Sequence, residues 1–136
     1  MAEHPNAALV RSAYEAFAAG DMDTIAKVFA DDIVWHIAGR NELSGDYRGQ
    51  GEVFGFFGRL AELSGGTFEL DMHDLLATDG HVVALVRERG SRAGRSIDSN
   101  GAHVWHVADG RAVEFWGFNY DQYADDEFWS ARPGGA

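Results

Sequence analysis

The order of elements along the chain predicts an α+β fold: three helices packed on the concave face of a strongly curved, mostly antiparallel sheet. Two observations carry this. Helical periodicity fills most of the first half, and strand periodicity runs from Thr67 onward. The later strands are linked by Asp79-Gly80, by Gly90 to Gly94 and by Asp109-Gly110. Such links are too short for the crossovers that parallel pairing needs, so the strands are antiparallel neighbours. A long antiparallel sheet twists and curls. Helices on its concave side then close a cone-shaped α+β barrel around a pocket.

Each element follows from local signals. Leu9, Val10, Ala13, Tyr14 and Phe17 sit at helical spacing within residues 6–19, with Asn6 as the expected N-cap and Gly20 as the stop. Asp21 or Asp23 caps a second helix whose apolar face holds Ile25, Val28 and Phe29, and Asp31-Asp32 is expected to end it. Residues 33–38 read as a short strand, and Gly39 to Gly51 as a loop. Val53, Phe54, Phe57, Leu60 and Ala61 mark a third amphipathic helix, closed by Gly65-Gly66. Strands are expected at about 67–77, 81–90, 95–107 and 111–120. The acidic group Asp121, Asp125, Asp126 and Glu127 reads as a solvated helix start. The chain is expected to be one domain, residues 1–136, with a core over about 7–128 and a disordered tail at 131–136.

Composition narrows the function classes. Hydrophobic residues make up 46% of the 136, enough for a sizeable core. No apolar run reaches the roughly 18 residues of a membrane span, and residues 1–6 lack the pattern of a signal peptide. There is no cysteine, which removes disulfides, thiolate metal sites and cysteine nucleophiles. The formal net charge of −11, with no basic stripe, repels nucleic acid. The expectation is a cytoplasmic protein with neither nucleic acid nor membrane as partner.

Several stretches together resemble one superfamily. They are Ala19-Gly20-Asp21-Met22-Asp23, Phe29-Ala30-Asp31-Asp32-Ile33-Val34-Trp35-His36, Gly45-Asp46-Tyr47-Arg48-Gly49, and Trp105 to Trp116 as a closing hairpin. This set is similar to the nuclear transport factor 2-like superfamily, and within it to the SnoaL-like and ketosteroid-isomerase-like branch. The resemblance implies a pocket between helices and sheet. It also implies isomerase or cyclase activity and a homodimer, on a scaffold that hosts many unrelated activities. In the ketosteroid isomerases an Asp base works with an oxyanion hole of Tyr and a protonated Asp. Alignment puts those positions on Ile37, on Ala13 (one residue before Tyr14) and near Ala102. The acid of the SnoaL-like polyketide cyclases falls on Gly117. Neither catalytic set is present, so neither reaction carries over.

Other groups must therefore do any chemistry. Successive strand residues face opposite ways. Trp35 and Ile37 take the pocket face and leave His36 outside, where it is a structural histidine or, re-aimed by a bulge, a general base. His103 and His106 oppose each other; with Val104 on the pocket side, His106 becomes the pocket histidine and proton carrier. Phe115, Gly117 and Asn119 share a face, and Asn119 can donate to a carbonyl. The expected catalytic residues are His106, Asn119 and His36. The expected pocket is Tyr14, Trp35, Ile37, Phe54, Phe57, Val104, Phe115 and Gly117, with Asp121 at its mouth. No His-x-x-x-His or Glu-x-x-His pattern is present, and no metal or cofactor is expected. Gly49-x-Gly51 is too short for a dinucleotide fingerprint. Two readings follow. One is a cofactor-independent isomerase, cyclase or lyase acting by proton transfer on an apolar carbonyl compound. The other is a non-catalytic protein that holds a hydrophobic ligand in the same cavity. A dimer is expected through an outer sheet face carrying His103, Trp105, Glu114, Trp116 and Phe118.

Overall fold

The computed structural model describes residues 3–131. Apart from Ala131, the tail expected to be disordered lies outside them. Helix α1 spans Pro5–Ala19. It begins two residues earlier than the Asn6 cap predicts, because His4 Nδ1 accepts the Asn6 N–H at 3.0 Å and Pro5 fills a first-turn position where no amide hydrogen is needed. Gly20 ends the helix in the left-handed region, at φ 71°. Asp21 then caps α2, Met22–Val28, by accepting the Thr24 N–H.

The boundary after α2 corrects the sequence reading. Phe29 takes an extended backbone, and strand β1 runs Phe29–Ile37. Asp31 and Asp32 therefore lie within the strand and not at a helix end. They are exposed where pairing with the neighbouring strand breaks register between Phe29 and Val34. A four-residue strand β2, Gly45–Arg48, pairs antiparallel with β1 inside the stretch expected to be loop. Its Gly and Asp content hid it, as is usual for a short edge strand. Helix α3 spans Gly49–Leu63 and buries Val53, Phe56 and Leu60.

Four long strands follow: β3 Glu69–Ala77, β4 His81–Arg92, β5 Arg95–Ala108 and β6 Arg111–Asn119. A fourth helix, α4, spans Gln122–Ser130. The six strands form one sheet in the order β2-β1-β6-β5-β4-β3, antiparallel except for β1 against β6. The architecture is the α+β cone expected, with one helix more. Its core is a knot of rings. Trp35 stacks on Phe115 with centroids 3.7 Å apart, and Trp105 meets Trp35 and Phe115 edge-on. Phe29 and Phe57 close the cluster. Ring pairs in these geometries add about 0.5–1.5 kcal/mol each beyond their burial.

One local feature sets the phase of the sheet. The Asp109-Gly110 turn pairs Ala108 with Arg111 and Val107 with Ala112. The next pair is His106 with Glu114, so Val113 is an extra residue on β6, a β-bulge. Beyond it Trp105 opposes Phe115 and His103 opposes Gly117. Cross-strand partners share a face. The residues that join the Phe115–Gly117 face are therefore Trp105 and His103.

Candidate functional site

The cavity lies between the helices and the concave sheet. It encloses about 840 Å3 free of protein atoms, its open mouth included. Its wall is mainly apolar and rich in aromatic rings, with Phe29, Phe57, Trp105, Phe115 and Trp129 among its members. Of the residues singled out from the sequence, Tyr14, Trp35, Ile37, Phe57, Phe115, Gly117 and Asn119 lie in this wall.

The others stand elsewhere. His106 and Val104 turn outward, a correction that follows from the Val113 bulge: an unbroken hairpin would pair Val104 with Phe115, whereas the bulge pairs it with Trp116. His106 instead stacks on His81, with ring centroids 5.1 Å apart. His36 also faces out, and no bulge re-aims it. Its Nδ1 lies 2.7 Å from Asp46 and its Nε2 2.6 Å from Glu114. Burial alone would lower its pKa, but these two carboxylates outweigh that and raise it. Phe54 packs on Phe57 without reaching the wall. Asp121 is the exposed N-cap of α4.

The polar residues that do meet in the cavity form a short chain. Tyr14 Oη lies 2.6 Å from His103 Nδ1 and accepts the Trp105 indole N–H at 3.1 Å. Burial, with a smaller contribution from the charge of Glu88, pushes the Tyr14 phenol far above its ordinary pKa, so it keeps its proton. His103 is buried, and its Nε2 sits 3.8 Å from Glu88 Oε1. Across from these, α4 brings in Asp125, only 4% exposed. Its oxygens accept from Trp129 Nε1 at 3.1 Å and Gln122 Nε2 at 3.2 Å. Burial, and next the negative charge of Glu88, push its pKa up to about 7. Two donors in the wall lack acceptors among the described residues: the buried Trp35 Nε1 and the half-buried Asn119 amide.

Sequence reasoning assigned His103 to the wrong face, read Asp125 as part of a solvated helix start, and passed over Glu88. Signals for both acids existed. Along β4, Val82, Ala84 and Val86 are buried, and alternation carries Glu88 onto the same face. On α4, Asp125 shares a face with Phe128 and Trp129 at spacings of three and four, both of them buried. An acid on an aromatic helix face is not a solvated one. No group of three or more potential metal ligands occurs among the described residues.

The sequence model of the SnoaL-like domain matches residues 10–115, most of the chain. The chain belongs to the SnoaL-like family. That places it in the nuclear transport factor 2-like superfamily. An uncharacterised Mycobacterium tuberculosis protein is 35% identical over 131 residues, covering 96% of this chain and all of the relative. The solved structure of Bal32a, from a soil-derived mobile gene cassette, is 36% identical and superposes with a TM-score of 0.88, over 92% of this chain and 96% of that one. A Xanthomonas campestris protein of unknown function with a cystatin-like fold is 29% identical with a TM-score of 0.84, over 90% of this chain and 96% of that one. No helix among the described residues is long and apolar enough to cross a membrane.

Proposed function

We propose that this protein is a cofactor-independent isomerase or cyclase that moves a proton on an apolar, carbonyl-bearing small molecule. The observation that carries this reading is the Tyr14–His103 pair, held at 2.6 Å inside an aromatic cavity. In the tautomer with the proton on His103 Nδ1, Tyr14 Oη accepts from both His103 and Trp105. Its own O–H is then free to polarise a substrate carbonyl, and His103 Nε2 is left as the base. When Nε2 takes a proton, the carboxylate of Glu88 at 3.8 Å stabilises the imidazolium. The Asn119 amide supplies a further donor for the developing enolate. Exclusion of water by the rings strengthens each of these interactions.

The test is deuterium incorporation, followed by proton NMR, at the α-carbon of small apolar cyclic and aryl ketones in D2O. Wild-type protein should speed exchange, and Tyr14→Phe and His103→Ala should slow it by roughly 100-fold or more, the usual scale for a proton-transfer group. One set of residues favours the second reading, a non-catalytic binder. Ala13, Ile37, Ala102 and Gly117 stand where the resembled enzymes carry their tyrosine and acids. Ketones that bind but exchange no faster than in buffer would establish that reading and end the first. We also propose that two copies associate through the outer sheet face.

A further inference from the structure

We propose that the carbonyl-bearing ligand of this cavity is not wholly apolar: it also carries a positively charged nitrogen, a protonated amine on an aromatic body, seated between Glu88 and Asp125 with its rings against the cavity aromatics. The inference rests on reading the cavity as the ligand site and goes on to name the chemical class of what enters.

Three observations point the same way. First, among the described residues the cavity wall includes two carboxyl groups and no lysine or arginine. The Glu88 side chain is 15% exposed, and its carboxylate receives no hydrogen bond from any described residue. Among the described residues, the basic group paired with it is His103, whose Nε2 lies at 3.8 Å. A largely buried carboxylate without a full complement of partners is costly, and a cation brought by a ligand relieves that cost. Second, Glu88 and Asp125 repel each other, which is one reason the Asp125 carboxyl holds its proton up to about pH 7. The arginines of β4 that flank Glu88 are committed elsewhere: Arg87 to Asp98, Arg89 to Asp71, and Arg92 to Glu42 and the Leu63 carbonyl. None is left to relieve the repulsion. Third, eleven of the lining residues are Phe, Tyr or Trp, and ring faces attract a desolvated cation independently of the acids. The formal charge of −11 adds a long-range field that draws cations in and holds anions off.

Three probes with one ring system test this: 2-naphthylmethylamine, 2-naphthylmethanol and 2-naphthoate, titrated calorimetrically at pH 8 and physiological salt. The amine should bind at least about tenfold tighter than the alcohol, and the carboxylate weakest, a gap expected when one partly buried charge is paired. Glu88→Gln should remove most of the preference, and Asp125→Asn should reduce it separately, so that either variant serves if the other fails to melt cooperatively. Asp109→Asn, an exposed turn residue with φ 53°, changes net charge equally and should leave the preference intact. An alcohol that binds as tightly as the amine overturns the inference while the cavity reading stands. An equal loss in Asp109→Asn also overturns it, since the preference would then belong to the overall field. If none of the three probes binds, the inference and the reading of the cavity as a ligand site fail together.

Discussion

His103 and His106 are three positions apart, carry the same chemistry and meet opposite environments. His103 touches Tyr14 and nears Glu88, whereas His106 stacks on His81 at the outer face. Under the proposed chemistry, His103→Ala abolishes most of the ketone exchange, whereas His106→Ala leaves it within a factor of about two. The reverse ranking would remove His103 from the mechanism. Asp125 yields a second prediction at this scale. Its pKa stands at about 7 in the fold against an ordinary value of 3.8. Between those values the folded chain binds the proton and the unfolded chain does not. Stability from this group therefore falls as pH rises from about 4 to about 7. Asp125→Asn should gain stability over wild type as pH rises through that window, by on the order of 2 kcal/mol between pH 5 and pH 8, read from urea melts. A difference that stays flat with pH would show that Asp125 is not held protonated.

At the scale of elements, the β5–β6 hairpin decides most about the site. The Val113 bulge shifts pairing by one residue and turns His103 and Trp105 inward. Past the bulge the two strands approach so closely that a Cβ built on Gly101 would stand 2.6 Å from the Phe118 carbonyl oxygen. That contact is with backbone, which cannot swing aside as a side chain would. Gly101→Ala should lower stability by about 2–3 kcal/mol. Gly117→Ala should cost less, because its nearest contact, 3.3 Å, is with the Phe115 ring. A thermal melt in which Gly101→Ala matches wild type would contradict the described register.

For the whole molecule, the outer sheet face poses the remaining question. Its cross-strand pairs join Leu76 to Val83, Val83 to Val104, and Val104 to Trp116. Leu76 is 54% exposed, and Phe118, which also borders the cavity, is 49% exposed. His103 and Trp105, expected on this face, point inward, so the patch is more aliphatic than the sequence suggested. Phe128 and Trp129 of α4 do not cover it: both are buried in the core, and Trp129 packs on Phe68 at 6.0 Å. A two-fold contact lets such a patch meet itself. Sedimentation at micromolar concentration should give twice the 14.9 kDa chain mass, and Trp116→Glu should return it to one chain. A wild-type mass near one chain would reject the dimer.

The sequence by itself determined most of the elements and their kind, the short edge strand β2 excepted. Apolar periodicity is a local property, and Gly20, Asp21, Asp79-Gly80 and Asp109-Gly110 punctuate it with residues whose backbone preferences are intrinsic. Short links then fixed the antiparallel neighbours, and the aromatic residues fixed that a cavity wall would be greasy. Only the tertiary structure decided which face of β5 looks into the cavity, because parity in a strand has period two and one bulged residue reverses it. It also decided where β1 begins, since Phe29 goes extended to reach its place against Trp35 and Trp105. Last, it decided that Asp125 is buried and that Glu88 sits beside His103. A carboxyl group's role depends on which partners and how much water surround it, and those are set by elements distant in the chain.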